Sequence, residues 1–203
     1  MEKFELSEEM YEYISLQRTG INKNFENEYY KNLLTQWKII EPYITKNPIK
    51  VLDVGCGLAG IDYFISNLNT NNEINLLDRT QLDKNLYYGF NKEASFYNNL
   101  DLSERFLRMN NITNKINLLT PETDFKDFGK FDLILSLISW GFHYPIETYI
   151  KRLDEVISDK GIFIIDIRHT ILEESLKIFE NEGYNHESIY RFKKCDKVLF
   201  KKW

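Results

Sequence analysis

The run Val51-Leu-Asp-Val-Gly-Cys-Gly-Leu-Ala-Gly60 restricts this chain more than any other stretch. An apolar segment passes straight into Gly55, Gly57 and Gly60, and a helical pattern follows. Such a strand–loop–helix junction lets a nucleotide-like ligand approach the backbone, because no Cβ blocks it. The helix start also presents free N–H groups. The G-x-G-x-x-G spacing alone also suits a nicotinamide cofactor. Asp53, two residues before Gly55, separates the two readings. A carboxylate at that mouth repels a pyrophosphate and attracts a cationic, amino-acid-bearing nucleoside.

The chain has 203 residues, enough for one domain with a sizeable core. Its hydrophobic fraction of 43% and aromatic fraction of 15% exclude a disordered chain. A net charge of -5 without a dense basic run disfavours a nucleic acid partner. Lys193, Lys194, Lys197, Lys201 and Lys202 are spread over a strand-like pattern and read as solvated edge positions. Cys56 and Cys195 are far apart and match no metal spacing, so the expectation is a reduced, cytoplasmic protein. The charged start Met-Glu-Lys-Phe-Glu is unlike a signal peptide. No apolar run approaches the ~18 residues that span a bilayer.

Residues 7–18 read as a helix with Ser7 as cap and Met10, Tyr13, Ile14 and Gln17 near one face. Gly20 stops it. A second helix runs from Phe25 to Tyr43, with Tyr29, Leu33, Trp37 and Ile40 as its apolar stripe. Tyr29 and Trp37 read as residues that bury this helix against a sheet. Strands follow at Ile49–Val54, Glu73–Leu77, Lys115–Leu119, Phe131–Leu137 and Ile162–Ile167. Helices alternate with them at Ile61–Leu68, Leu102–Met109 (capped by Asn99 or Asp101), Ile146–Ile157 and Leu172–Asn181. Lys160-Gly161 is expected to end the third of these, and Gly183 the fourth. Residues 79–99 are irregular and aromatic, with Tyr87, Tyr88, Phe90, Phe96 and Tyr97. Tyr184–Phe192 and Lys197–Trp203 have no helix between them and are expected to form a hairpin. Alternation of this kind implies a mostly parallel sheet with helices on both faces. The expected division is a helical lid or extension over 1–48 and a main domain over 49–203.

From Lys50 to Trp203 the order of these blocks resembles the class I SAM-dependent methyltransferases. Val51–Gly60 is similar to that family's glycine loop, Asn75-Leu-Leu-Asp78 to the end of its second strand, and Phe131–Ser136 to its fourth strand. The closing hairpin is a family feature as well. The resemblance implies a Rossmann-like α/β fold with a seven-stranded sheet, and S-adenosylmethionine (SAM) as cofactor, leaving S-adenosylhomocysteine. SAM carries a sulfonium, an α-ammonium and no phosphate, which agrees with Asp53. The resemblance places Gly55, Cys56 and Gly57 along the amino-acid end of SAM, with Asp53 either ordering the loop or contacting the ammonium, directly or through water. Asp78 would accept both ribose hydroxyls, with Arg79 beside it. Glu122 or Thr123 would face the adenine, with Asp124 as an alternative or a plain turn residue. Ser136 would lie at the end of the fourth strand. Arg18, with Tyr11 and Thr19, would close over the cofactor and pair with its carboxylate.

The loop Ser136-Leu-Ile-Ser-Trp-Gly-Phe-His-Tyr-Pro145 is rich in aromatic and polar groups for a plain connector. Ligands of open α/β sheets bind at that edge. Methyl transfer to a hydroxyl gains from a base that takes its proton. His143 is the best-placed candidate, with Tyr144 beside it; the alternative for His143 is a packing residue at a helix entry. Trp140, Phe142 and Tyr88 are candidate acceptor contacts. Arg168 and His169, after the fifth strand, suit an anionic acceptor or a solvated strand terminus. No metal spacing is present in this loop. The loop is similar to those of small bacterial methyltransferases of surface-polysaccharide (capsule) synthesis. That similarity implies an oxygen acceptor on a sugar, nucleotide-linked precursor or phosphoramidate, with no nucleic acid or membrane partner. The competing classes are an NAD-dependent oxidoreductase and a non-catalytic SAM-binding subunit.

Overall fold

A computed structural model of the chain describes residues 3–17, 25–80 and 98–203. The strands are β1 (Lys50–Val54), β2 (Glu73–Leu77), β3 (Lys115–Leu119), β4 (Phe131–Ser136), β5 (Ile157–Arg168), β6 (Asn185–Arg191) and β7 (Cys195–Lys201). They form one sheet in the order β3-β2-β1-β4-β5-β7-β6. β1 to β5 pair in parallel, and β7 runs antiparallel to both β5 and β6. The helices are α1 (Glu8–Gln17), α2 (Phe25–Ile40), α3 (Gly60–Leu68), α4 (Leu100–Met109), α5 (Ile150–Asp154) and α6 (Leu172–Asn181). The expected Rossmann-like sheet with its closing hairpin is the one observed. Among the described residues, no helix is long and apolar enough to cross a membrane.

Strand alternation splits the core in two. Val51, Leu133, Leu135, Ile164 and Leu199 face one layer, which holds α1 to α4. Leu52, Val54, Ile134, Phe163, Ile165 and Phe200 face the other, with α5 and α6. The N-terminal helices belong to the first layer. Phe4 sits edge-on against Tyr29, Tyr30, Tyr63 and Phe106, and Trp37 stacks on Phe64. Ser7 caps α1 by accepting from the Met10 N–H, and Asn99 caps α4 by accepting from the Leu102 N–H.

Two sequence expectations are corrected. The helix expected over Ile146–Ile157 is a 3-10 turn (Ile146–Thr148) followed by the short α5. Lys160-Gly161 is no helix cap, because β5 already begins at Ile157. Phe131 pairs with Ile157 but Leu133 with Ile162, so residues 158–161 bulge opposite Asp132. Gly161 is required there: a Cβ would lie 2.9 Å from the Phe131 carbonyl oxygen.

The second correction is Lys197. The hairpin folds so that β6 takes the edge and β7 lies inside. Lys197 is therefore 0% exposed, and its Nζ lies 2.6 Å from Asp166 Oδ1 on the opposite residue of β5. Lys193, Lys194 and Lys202 stay exposed. Removing one partner of a buried pair leaves the other charge without compensation. Lys197→Met is expected to cost roughly 3–5 kcal/mol in urea unfolding. Asp166→Asn combined with Lys197→Met should recover at least half of that loss.

Candidate active site

All five parallel strands end at one edge, and β1 is flanked there by β2 and β4. The glycine loop leaves β1 at this edge and is stitched to β2. The Gly55 N–H donates to the Leu77 carbonyl at 2.7 Å, and the Gly57 N–H donates to Asp78 Oδ2 at 3.1 Å. Gly55, Gly57 and Ala59 all take positive φ, of 78°, 55° and 59°. Only glycine holds that conformation cheaply, and Ala59 does so where α3 starts. Gly60 has another role. A Cβ on it would lie 2.4 Å from Leu33 and 2.7 Å from the Tyr29 hydroxyl, so it admits α2 against α3.

The loop opens a cleft of about 370 Å³, within the range of small-molecule sites. Its floor holds Asp53, Gly55, Cys56, Gly57, Asp78 and Arg79. Asp53 is 2% exposed, and its Oδ1 has no hydrogen-bond donor. A buried carboxylate oxygen left open is costly unless a ligand satisfies it. Asp78 is half-buried and held by the N–H groups of Gly57 and Arg79 and by the Asn98 side chain. Burial pushes its pKa up to about 6, so it is ionised at neutral pH. Asn98 in turn accepts from the Tyr13 hydroxyl at 2.6 Å, which ties α1 to the Asp78 carboxylate.

The opposite wall is the loop after β4. Ser139, His143, Tyr144 and Tyr149 line the cleft. The Ser139 and Tyr144 hydroxyls lie 3.0 Å apart, directly against Gly55, where a Cβ would come within 1.8 Å of Ser139 Oγ. Burial pushes the Tyr144 phenol far above its ordinary pKa, so it stays neutral. The loop leaves β4 through Ile138, a β-branched residue at φ 57° and 45% exposed. That conformation is strained for isoleucine. Its backbone N–H lies beside the Asp166 carboxyl group, whose Oδ1 Lys197 holds.

The structure thus gathers Asp53, Gly55, Cys56, Gly57, Asp78, Arg79, His143 and Tyr144 around one cleft. Other candidates are placed away from it. Trp140 is 0% exposed: its indole N–H donates to the Ile146 carbonyl, and its ring packs on Tyr149, Phe163 and Phe179. Ser136 is buried and bridges the Val54 carbonyl and the Trp140 N–H. Both brace the loop from beneath. Arg168 stacks on Phe142 at 4.3 Å and donates to the Phe142 carbonyl, so both are used in holding the loop. His169 Nε2 lies 2.9 Å from Asp196 Oδ1 on β7. Pro121 lines the cleft, whereas Glu122 is exposed and bonds Thr120, and Thr123 closes the turn by accepting from the Thr120 N–H. Asp124 accepts from the Lys126 N–H as a turn residue. Arg18, Thr19 and Tyr88 lie outside the described residues.

Sequence reading missed Asn98 and the α2 residues Asn32 and Gln36, which also line the cleft, and Asp62 and Tyr13, which stand behind Asp53 and Asn98. None carries a local motif; they reach the site only through tertiary packing.

The sequence matches no family model and no curated relative. Solved structures do match in fold. The ribosomal protein L11 methylase from Lactobacillus delbrueckii subsp. bulgaricus superposes with a TM-score of 0.61 at 19% identity, over 84% of this chain and 77% of that one. The precorrin-6y C5,15-methyltransferase from Geobacter metallireducens gives 0.62 at 15% identity, over 92% of both chains. The magnesium protoporphyrin IX methyltransferase from Synechocystis, with bound SAM, gives 0.60 at 11% identity, over 96% of this chain and 90% of that one. The strand order and antiparallel hairpin are those of the class I methyltransferase fold.

If Ile138 is held in strain, Ile138→Gly should raise stability by roughly 1 kcal/mol, read as a higher urea midpoint. An unchanged or lower midpoint would show that the turn stores nothing.

Proposed function

We propose that the chain is a SAM-dependent methyltransferase acting on a hydroxyl oxygen of a small molecule. The observation that carries this reading is Asp53 on the lining of the cleft, nearly fully buried and with Oδ1 lacking a hydrogen-bond partner, next to a left-handed Gly55. A pyrophosphate-bearing cofactor would meet that carboxylate as a repulsion, whereas an ammonium satisfies it. The donor set fits the rest of SAM as well. Asp78 suits a ribose diol, because an ionised carboxylate accepts two adjacent O–H groups. Leu58 and Leu77 supply apolar walls.

SAM supplies a sulfonium methyl that is open to in-line attack. The chain's own residues hold the two reactants and manage the proton. Ser139 and Tyr144 keep the cofactor end and the acceptor end in contact, since their paired hydroxyls rest on Gly55. Neutral Tyr144 positions an oxygen and does not act as the base. His143 lines the same wall and takes the proton from the acceptor hydroxyl as its oxygen attacks. Arg79 is the one permanent cation among the described lining residues, and it sits beside Asp78. A neutral sugar-type hydroxyl therefore fits better than a phosphate. The surface-polysaccharide setting rests on the loop after β4 alone.

Calorimetric titration should show binding of SAM and S-adenosylhomocysteine, and none of NAD. Tight NAD binding without a SAM response would sink the proposal. Asp78→Ala should weaken SAM by at least about tenfold, since hydrogen bonds to charged groups contribute ~1.5–3 kcal/mol. His143→Ala should lower turnover by ~10²-fold or more at near-native SAM affinity. A variant that keeps its turnover but melts early would make His143 a packing residue.

A further inference from the structure

We propose that Asp62 is a positioning residue for Asp53: the two buried carboxyl groups share one proton, and an ammonium group docking on Asp53 expels it to solvent. This inference rests on the cofactor reading above and deepens it.

Asp62 lies in the first turn of α3 and is 0% exposed. Neither of its oxygens meets a protein N–H or hydroxyl donor. Asp53, at 2% exposed, likewise leaves Oδ1 open. The two carboxyl groups are buried neighbours, and neither offers the other's oxygens a donor while both are ionised. A carboxylate has no donor, so a proton on one of them is what lets the two groups satisfy each other. Only Asp53 of the two lines the cleft; Asp62 stands behind it.

The surroundings favour retention of that proton. Asp78, Cys56 and Tyr144 face the pair from the ends of β2, β1 and β4, and Asp78 adds negative charge. Lys197 approaches from β7, but its Nζ is bound to Asp166. Burial, then mutual repulsion, raises Asp53 well above the usual carboxylate range, and burial pushes Asp62 up to about 6. The pair therefore titrates as a unit and holds one proton near neutrality. An ammonium docked on Asp53 supplies the missing positive charge, and the doubly ionised pair becomes the stable form. Binding is then tighter at higher pH, because the free protein holds more protons than the complex.

The test is calorimetry of the full chain with SAM near pH 7, in buffers of different protonation enthalpy. Release approaching one proton per SAM is expected, with affinity falling by up to about tenfold from pH 7 to 6. 5′-Methylthioadenosine lacks the amino-acid end and should bind with much smaller release, reporting Asp78 on its own. Asp62→Asn offers Asp53 a permanent N–H donor, so it should bind SAM without this release and with a flatter pH dependence. Equal release by SAM and methylthioadenosine on the wild-type chain would overturn the proposal, and so would full release by Asp62→Asn. The wild-type comparison decides even if the variant fails to fold. Absence of any SAM or S-adenosylhomocysteine binding would instead remove the cofactor reading, and this inference with it.

Discussion

The parallel pairing of β1 with both β2 and β4 is the constraint on which the rest of this molecule depends. It brings three strand ends to one edge, so the glycine loop, Asp78 and the Ser136–Pro145 loop become neighbours. The loop's first N–H groups find the last carbonyl of β2. Without that pairing, the left-handed residues Gly55 and Gly57 would have no partner to hold them.

The same edge carries a row of buried charge. Asp53 on β1, Asp166 on β5 and Lys197 on β7 are each at most 2% exposed. They share the sheet face that α1 to α4 cover. Asp166 Oδ1 and Lys197 Nζ pair at 2.6 Å beside Ile138, at the root of the loop after β4. Asp53 is left with Asp62 and an open oxygen. The first pair is an ion pair away from the cleft lining, with Asp166 Oδ2 unpartnered, whereas in the second Asp53 lines the cleft. Buried charge of both kinds costs stability, and only Asp53 sits where a ligand in the cleft could reach it.

The loop after β4 divides its labour by depth. Trp140 and Ser136 anchor it below, and Phe142 with Arg168 braces its side. Ser139, His143 and Tyr144 are then presented to the cleft by a rigid support. Rigid support matters because a small misplacement of reacting groups is expensive in rate.

Local chemistry made much of this legible in advance. Glycine spacing, strand alternation and helix caps placed β2, β3 and α6 at their observed bounds, and Asp53, Asp78 and His143, each named from the sequence, all line the cleft. These features depend on residues close in the chain, where a period or a cap has a local physical cause. Composition could not tell which aromatic of the Trp140–Tyr144 run faces in, since direction depends on what packs beneath. Nor could it show that β6 would cover β7, which turned Lys197 from an apparent surface lysine into a buried ion pair. Asp62, Asn98 and Tyr13 joined the site only because α3, α4 and α1 fold onto the same sheet face. The sequence by itself determined the elements, the sheet class and the form of the glycine loop; tertiary structure alone decided burial and partners, because those are set by neighbours far apart in the chain.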